Sequence, residues 1–216
     1  MNSTDLFLTL YKNITFKNLT WWPNYGTFEV IVGAILTQQT TWKNVEICLI
    51  NLKKENLLNL QSIAKMDLEN LQNFIKQSGF FKQKSIRLKN ICEKILEEFG
   101  DFETFKNSAS REFLLSLKGI GPETCDSILC YACNRELMVV DNYTLKILKF
   151  LGYEFESYFE AQEWLMSVDF NEIFKILDCN LNEFFCAYHG LIVEFCKTHL
   201  KKNKLDEKAI EILQNL

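Results

Sequence analysis

The sequence predicts an all-α fold for a chain of 216 residues. Apolar residues recur every three or four positions along most of the chain, which is the spacing of one helix face. The chain has two prolines and eight glycines, too few for the dense turns of a β protein. The stretch "LMVV" is the one β-like segment, and it is too short to form a sheet alone.

Capping residues, glycines and one proline mark the helix boundaries. Serine, threonine, aspartate and asparagine cap helix N-termini, glycine ends helices, and proline suits the first helical position because its missing N–H is not needed there. The predicted helices in order are one containing Phe28, Val32, Ile35 and Leu36; one capped by Thr41 with Val45, Leu49 and Leu52 inside; one capped by Asp67 and stopped by Gly79; one with Ile86, Ile91, Ile95 and Phe99 inside and ended by Gly100; one capped by Ser110; one beginning at Pro122; one capped by Asp141 or Asn142 and stopped by Gly152; one over 180–200; and one opened by Asp206.

Composition restricts the function classes. The net charge is −4, which disfavours a protein that grips nucleic acid over its whole surface but allows a local site. The chain has two histidines, His189 and His199, too few for a histidine-built metal or triad site. No run approaches the roughly 20 apolar residues of a membrane span, and the N-terminus lacks a basic n-region. We therefore expect no membrane partner and a cytoplasmic location.

The segment "LKGIG" lies between two amphipathic helices. Leu117 and Ile120 are apolar plugs, and Gly119 and Gly121 allow close approach and unusual φ angles. The next helix starts at Pro122, so the amides after the first glycine lie at a positive helix end. Such a turn can hold a nucleic-acid phosphate through backbone amides. The alternative is an ordinary turn between two helices.

Residues 110–141 resemble the hairpin and following aspartate of the endonuclease III, or HhH-GPD, superfamily of DNA glycosylases. The matching pieces are "LKGIGPETCDSILCYA" and "MVVDNYT". Upstream, "VGAILTQQTTW" resembles the early helix and glutamine-bearing loop of that family, and "SGFFKQKSIRLKNI" resembles a later helix. The chain also resembles the 3-methyladenine glycosylases of the MagIII type in "WWP" near the N-terminus and in the segment "HGLIVEFCK". The good matches cover about residues 25–155.

The resemblance implies a two-lobed helix-hairpin-helix glycosylase fold with the active site in the inter-lobe cleft. One lobe would span residues 25–135, with the hairpin at 110–133. The second lobe would join residues 1–24 to 136–216 and carry the catalytic aspartate. The implied partner is double-stranded DNA that contains alkylated bases, bound by a monomer.

The resemblance assigns catalysis to Asp141. Its carboxylate would stabilise an oxocarbenium-like transition state or activate water. Glu123 stands where bifunctional members carry a nucleophilic lysine, and a carboxylate cannot form an imine. Lys118 precedes the glycine and is not at that position. We therefore expect a monofunctional enzyme that leaves an abasic site; for Glu123 alone, the alternative is a solvated acid at a helix N-terminus.

A glycosylase for alkylated purines needs an aromatic base pocket. Purines alkylated at N3 or N7 carry positive charge, leave readily as neutral bases, and need a surface that stacks on an electron-poor ring. Trp21, Trp22 and Trp42 are the candidates, with Pro23 shaping the access, and Lys197 matches a lysine of the MagIII-type active site. The alternatives are core aromatic residues and a solvated lysine.

The glutamine-bearing loop and the hairpin supply the candidate DNA contacts. Gln39 is the candidate wedge that fills the gap left by a flipped nucleotide, with Gln38 as the alternative. By resemblance, the carbonyls of Leu117 and Ile120 hold Na⁺ or K⁺. The remaining DNA-contact candidates are Lys118, Gly119, Ile120, Gly121, Glu123 and Thr124.

Many superfamily members carry a C-terminal [4Fe–4S] cluster with the spacing C-x6-C-x2-C-x5-C. Cys179 and Cys186 match the first gap, but His189 takes the third place and Cys196 comes one residue late. One continuous helix over 180–200 would also spread these residues along its length, so they could not surround one cluster. We therefore expect no iron–sulfur cluster and no other cofactor.

Three functions stay open on the sequence. The first is a monofunctional glycosylase of base excision repair that removes alkylated purines such as 3-methyladenine. The second is an endonuclease III-like oxidised-pyrimidine glycosylase with AP-lyase activity. The third is a non-catalytic helix-hairpin-helix protein that binds DNA structure. Asp141, which follows the hairpin at the family's distance, favours an enzyme.

Overall fold

The computed structural model describes residues 2–15, 18–202 and 204–214. Within them the chain is predominantly helical, as the all-α prediction requires. Leu200–Lys201 (β1) and Lys204–Leu205 (β2) form a short antiparallel pair that was not predicted. The α-helices are Ser3–Asn13 (α1), Phe28–Leu36 (α2), Trp42–Lys54 (α3), Leu60–Lys65 (α4), Leu68–Ile75 (α5), Phe81–Phe99 (α6), Phe102–Ser108 (α7), Arg111–Ser116 (α8), Pro122–Tyr131 (α9), Asn142–Phe150 (α10), Tyr158–Met166 (α11), Phe170–Ile173 (α12), Leu181–His199 (α13) and Glu207–Gln214 (α14).

The chain divides into two compact units. The terminal unit joins Met1–Trp22 to Glu136–Leu216, and the hairpin unit is Pro23–Arg135. In the part of the chain that the structure describes, no helix combines the length and apolar character needed to cross a bilayer.

The terminal unit is built around α13. A capping box starts this helix: Asn180 accepts the backbone N–H of Glu183, and the Glu183 carboxylate accepts the backbone N–H of Asn180. Helices α1 and α10 pack against it. Its buried large side chains are Phe184, Phe185, Tyr188, Leu191, Ile192 and Phe195.

The "LMVV" segment forms no strand and pairs with none among the described residues. Two of its backbone polar groups bind side chains of α11 instead. The amide of Gln162 donates to the carbonyl of Met138 (2.5 Å), and the N–H of Val140 donates to the hydroxyl of Tyr158 (3.2 Å). Met138, Val139 and Val140 are buried, and the segment ends next to Asp141 at the start of α10.

In the hairpin unit, α8 and α9 form the helical hairpin and α2 packs against α9. A buried ion pair ties the hairpin together: Nη2 of Arg111 lies 2.5 Å from Oδ2 of Asp126, whose side chain is fully buried. Removing Arg111 would leave the buried carboxylate of Asp126 without this cation, which is strongly destabilising.

The inner face of α6 differs from the prediction. Ile86, expected inside, is 56% exposed. Helix α6 begins at Phe81, five residues before Ile86, the first residue of the apolar pattern, and a lysine occupies the inner face near its start. The buried stripe runs through Lys84, Leu88, Ile91 and Ile95.

Lys84 is buried because two carbonyls bind its ammonium group. Nζ donates to the carbonyl of Leu36 (2.8 Å) at the end of α2 and to the carbonyl of Ser78 (2.6 Å) before Gly79. Burial lowers the pKa of Lys84 to about 8. The carbonyls of Leu36 and Ser78 therefore explain why a lysine occupies a position on the buried face of α6.

We predict that Lys84→Met destabilises the fold by about 1–3 kcal/mol at pH 7, because it leaves two buried carbonyls without a donor. The loss should grow as the pH rises from about 8 toward the unfolded lysine pKa of about 10.4. In that window the unfolded wild type binds a proton that the folded protein does not, so raising the pH weakens this stabilisation of the unfolded state and raises the free energy of unfolding. Urea unfolding at pH 7.5 and pH 9.5 measures both effects.

The exposed Lys82, on the same helix, supplies the matched control Lys82→Met. Equal stability losses for Lys84→Met at the two pH values would contradict the prediction.

Candidate functional site

The carboxylate of Asp141 is held at the N-terminus of α10, and its two oxygens have different neighbours. Oδ1 accepts hydrogen bonds from the backbone N–H of Thr144 (2.8 Å) and from its hydroxyl (2.9 Å). Oδ2 lies 3.7 Å from Nε2 of His189. That distance is longer than a hydrogen bond, so this contact is electrostatic. Of the two possible caps, the structure uses Asp141 and not Asn142.

The surroundings of Asp141 favour its ionised form. Burial raises the pKa of this carboxyl, but the neighbouring His189 ring and the bonds from Thr144 outweigh burial, so the pKa lies below its ordinary value. The partial positive charge at the helix N-terminus acts in the same direction. Since the side chain is only 16% exposed, the site holds a negative charge with little solvent to screen it.

Trp21 packs against the other side of the His189 ring. The two rings meet edge to face, with centroids 5.3 Å apart. Gly190 makes this approach possible, because a Cβ there would lie 2.5 Å from Cγ of Trp21. Trp21 also has a φ of 48°, which is uncommon for a large residue. The glycine after His189 is therefore a packing requirement of this tryptophan.

Glu194 and Lys197 hold the indole of Trp21. The indole N–H donates to Oε1 of Glu194 (3.1 Å), and Nζ of Lys197 lies 2.8 Å from the same oxygen. The Lys197 ammonium is also 5.3 Å from the centroid of the Trp21 ring, within cation–π range. Burial raises the pKa of Glu194, but Lys197 and Trp21 together lower it by more, so the pKa lies below its ordinary value.

The residues proposed for the base pocket fall in both units. Trp21, Trp22 and Lys197 belong to the terminal unit, where Trp22 packs edge to face on Trp21 at 6.0 Å and is 6% exposed. Pro23 and Trp42 belong to the hairpin unit, where Pro23 is exposed and Trp42 begins α3, half-buried.

Sequence reasoning missed His189 and Glu194. His189 was weighed only as a member of a metal or triad site, because nothing in the sequence places it beside Asp141, 48 positions earlier. A usable signal was the spacing of Gly190, Glu194 and Lys197 by four and three residues on a helix that was itself predicted. Residues at that spacing share one face of the helix, and the small Gly190 leaves room on that face for a tryptophan side chain.

The hairpin turn has its apolar residues inside and its polar ones outside. Leu117 and Ile120 are buried, whereas Lys118 and Gly121 are exposed. The amide of Ile120 donates to the carbonyl of Leu117 (3.1 Å), so that amide serves the turn itself rather than a phosphate. Gly119 has a φ of 90°, which favours glycine. Helix α9 begins directly after the turn, and the first turn of a helix presents amides to anions.

A cavity of about 340 Å³ lies beside this turn within the hairpin unit. Glu123 is exposed in the first turn of α9, and Thr124 is buried behind it. Gln39 has a φ of 54°, and among the described residues no hydrogen bond engages its side chain. The cavity is lined by Gln38, Gln39, Phe80, Gln83, Lys84, Arg87, Glu123 and Thr124.

The cysteines of the C-terminal segment are spread along the chain. Cys179 precedes α13, and Cys186 and Cys196 lie on that helix, each with a polar neighbour: Asn182 and the carbonyl of Tyr143. Over residues 2–15, 18–202 and 204–214, no three His, Cys, Asp or Glu side chains are placed to hold one metal ion. The absence of a cofactor stays a prediction.

Comparison with known proteins gives one family. Residues 32–191 match the HhH-GPD superfamily of base excision DNA repair proteins. A Methanocaldococcus jannaschii protein, assigned by inference as a DNA repair glycosylase, is 38% identical over 214 residues, which cover 94% of this chain and 93% of that protein. Endonuclease III of Thermotoga maritima is 30% identical over 126 residues, 58% of this chain and 57% of that enzyme.

Solved structures agree with the family match. The 3-methyladenine DNA glycosylase of H. pylori (MagIII), bound to 1,N6-ethenoadenine, is 37% identical and superimposes with a TM-score of 0.84 over 93% of this chain and 100% of that one. An endonuclease III in a non-covalent DNA complex has a TM-score of 0.72 over 99% of this chain and 94% of that one. At 18% identity, the second likeness shows the fold alone.

We predict that His189→Leu raises the pKa of Asp141, because burial of the carboxylate would no longer be offset by the ring beside it. A ¹³C NMR titration of the side-chain carboxyls measures the shift. Asp141 contributes stability that is present above the unfolded aspartate pKa of about 3.9 and is lost as pH falls through its lowered folded value, and the variant should lose part of it.

The chain offers a matched control in its other histidine. Nδ1 of His199 lies 3.0 Å from Asp206, so His199→Leu also removes an imidazole from beside an aspartate. It should leave the pKa of Asp141 unchanged. An unchanged pKa of Asp141 in His189→Leu would contradict the electrostatic role of His189.

Proposed function

Because the chain belongs to the HhH-GPD superfamily of base excision DNA repair proteins and is a DNA glycosylase, we propose that it hydrolyses the N-glycosidic bond of alkylated purines such as 3-methyladenine. It would act as a monomer on double-stranded DNA, in the cytoplasm, and leave an abasic site. The observation that carries the proposal is the partly buried, ionised carboxylate of Asp141 at the N-terminus of α10.

Asp141 suits the chemistry of glycosidic-bond cleavage. As the base departs, positive charge develops on the sugar, and a fixed negative charge stabilises that transition state. The carboxylate is already ionised and oriented by Thr144, so it needs no reorganisation during the reaction. Oδ2, which is not used by the helix cap, is the oxygen that would face the sugar or the attacking water.

Positive charge on the substrate accounts for the residues around Trp21. An alkylated purine leaves as a neutral base, so it needs no strong general acid. Glu194 brings a carboxylate to the edge of the Trp21 ring, and Lys197 shows that the ring already binds a cation. A cationic purine that stacked on this ring would gain cation–π attraction, while the ammonium of Lys197 compensates the charge of Glu194. The ligand of the H. pylori relative, 1,N6-ethenoadenine, is also a modified adenine.

Glu123 supports the monofunctional assignment. It lies in the first turn of α9, where bifunctional relatives place the lysine that attacks the sugar. A carboxylate cannot form the Schiff base that leads to strand cleavage. Lys118 lies on the exposed side of the turn, before the glycine.

We predict that the protein releases 3-methyladenine from DNA treated with a methylating agent and leaves the strand intact until alkali is added. Chromatography of the released bases gives their identity, and a labelled duplex shows whether the strand is cut. Borohydride should trap no covalent adduct, with a bifunctional relative as the positive control.

Two results would overturn the proposal in different ways. Release of oxidised pyrimidines with strand cleavage and a trapped adduct would establish the endonuclease III-like alternative. Binding of damaged DNA with no base released would establish a non-catalytic protein.

A further inference from the structure

Gln38 forms hydrogen bonds at both ends of its side-chain amide, and these bonds join two loops of the hairpin unit. Oε1 accepts from Nη1 of Arg87 (2.6 Å). Nε2 donates to the carbonyl of Gly119 (3.1 Å) and to the hydroxyl of Thr124 (3.0 Å). Gln38 belongs to the loop 37–41, here the glutamine loop, and Gly119 belongs to the hairpin turn. A single side chain therefore connects the glutamine loop to the hairpin.

Arg87 reinforces this connection from α6. Its side chain lies directly on Gly119, where a Cβ would come within 2.3 Å of the Arg87 Nε. Gly119 thus meets two requirements: it adopts a φ of 90° and it leaves room for a guanidinium group. Any side chain at this position would push Arg87 away from Gln38.

The glutamine loop is held at its start by the same helix. Lys84, one turn before Arg87 on α6, binds the carbonyl of Leu36 just before the loop. Gln39 follows Gln38 with a φ of 54°. A non-glycine residue keeps this conformation only when its surroundings hold it, and such positions cluster at functional sites.

The two adjacent glutamines therefore have opposite surroundings. Both polar ends of the Gln38 amide are engaged inside the unit. Among the described residues no hydrogen bond engages the side chain of Gln39, although Gln39 borders the cavity beside the hairpin. The geometry leaves Gln39 as the glutamine that can leave the protein surface, and it makes Gln38 the residue that fixes where Gln39 stands.

We propose that Gln38, Arg87, Gly119 and Thr124, here the glutamine lock, hold Gln39 at a fixed position relative to the hairpin. The hairpin then grips the DNA backbone and Gln39 enters the gap left by an extruded nucleotide as one event. Arg87 and Gln38 are positioning residues that act through Gln39. The inference rests on the proposed function for DNA binding and nucleotide extrusion, and it holds whichever base is removed.

Preorganisation is the physical reason for such a lock. A loop that must be ordered on binding lowers the affinity by the entropy of ordering it, and a loop ordered beforehand does not. The lock should therefore favour DNA with a gap for Gln39 and contribute little to the grip on intact DNA, which depends on phosphate contacts.

The test uses the whole protein and a duplex with one tetrahydrofuran abasic analogue placed opposite 2-aminopurine. Arg87→Met and Gln38→Met should each weaken binding to this duplex about tenfold, which corresponds to about 1.4 kcal/mol. They should also suppress the rise in 2-aminopurine fluorescence that insertion of Gln39 produces. Affinity for an intact duplex should stay within about threefold of wild type, because phosphate contacts remain.

The double variant identifies a shared network. If both residues act through one lock, Arg87→Met with Gln38→Met should bind no more weakly than the weaker single variant, because residues of one network are not additive. Thr124→Val removes one contact at nearly constant shape and should give a smaller loss in the same direction, which tests the lock even if Arg87→Met fails to fold.

The control is Arg135→Met. Arg135 belongs to the same unit and donates to the carbonyl of Asn107 (2.7 Å), so the variant removes a positive charge outside the lock. It should bind the abasic duplex as wild type does. Thermal unfolding of every variant shows whether the fold is retained.

Three results would overturn the lock. Gln38→Met could bind the abasic duplex as tightly as wild type. The losses of the two single variants could multiply in the double variant. Both duplexes could be weakened equally by Arg87→Met and not at all by Gln38→Met, which would make Arg87 a simple phosphate contact. Failure of the alkylpurine proposal would look different: wild type would release no methylated purine, yet its binding to the abasic duplex would still depend on the lock.

Discussion

The terminal unit is arranged around one partly buried negative charge, the carboxylate of Asp141. The N-terminus of α10 and Thr144 bind one oxygen, and His189 stands beside the other. Trp21 packs on His189, and Gly190 leaves the space for it. Each of these neighbours therefore helps to keep an unprotonated carboxylate in a site with little water, either directly or by packing on a residue that does. A buried charge persists only with such partners.

The hairpin unit solves a different problem, how a chain with a net charge of −4 can bind DNA. Backbone amides at a helix N-terminus attract phosphate without adding cationic side chains. Arg87 lies on Gly119 and donates to Gln38, so it fixes the turn that precedes these amides. Local arrangement of charge thus replaces overall charge.

Much of this could be read from the sequence, and the omissions have physical causes. Apolar periodicity, capping residues and glycines predicted nine of the fourteen α-helices in the described residues, whereas α1, α4, α7, α11 and α12 were not predicted. The all-α class is confirmed, and so is the HhH-GPD family. The prediction that Ile86 lies on the inner face of α6 was wrong. Lys84 occupies that face instead, because two carbonyls bind its ammonium group, and a hydropathy pattern does not reveal such a lysine. His189 was missed because its partner is distant in sequence. The assigned site residues remain predictions, since folding places them but only chemistry tests them.

The central claim is that the negative charge of Asp141, and not its role as a helix cap, drives bond cleavage. Asparagine caps helices as well as aspartate does, so Asp141→Asn removes the charge and keeps the cap. The decisive measurement is the single-turnover rate of 3-methyladenine release by this variant, with its unfolding midpoint measured alongside. We expect a stable protein whose rate falls by about a hundredfold or more, the usual loss when one electrostatic group is removed from a transition state. A rate within about threefold of wild type, well inside that range, would contradict the claim.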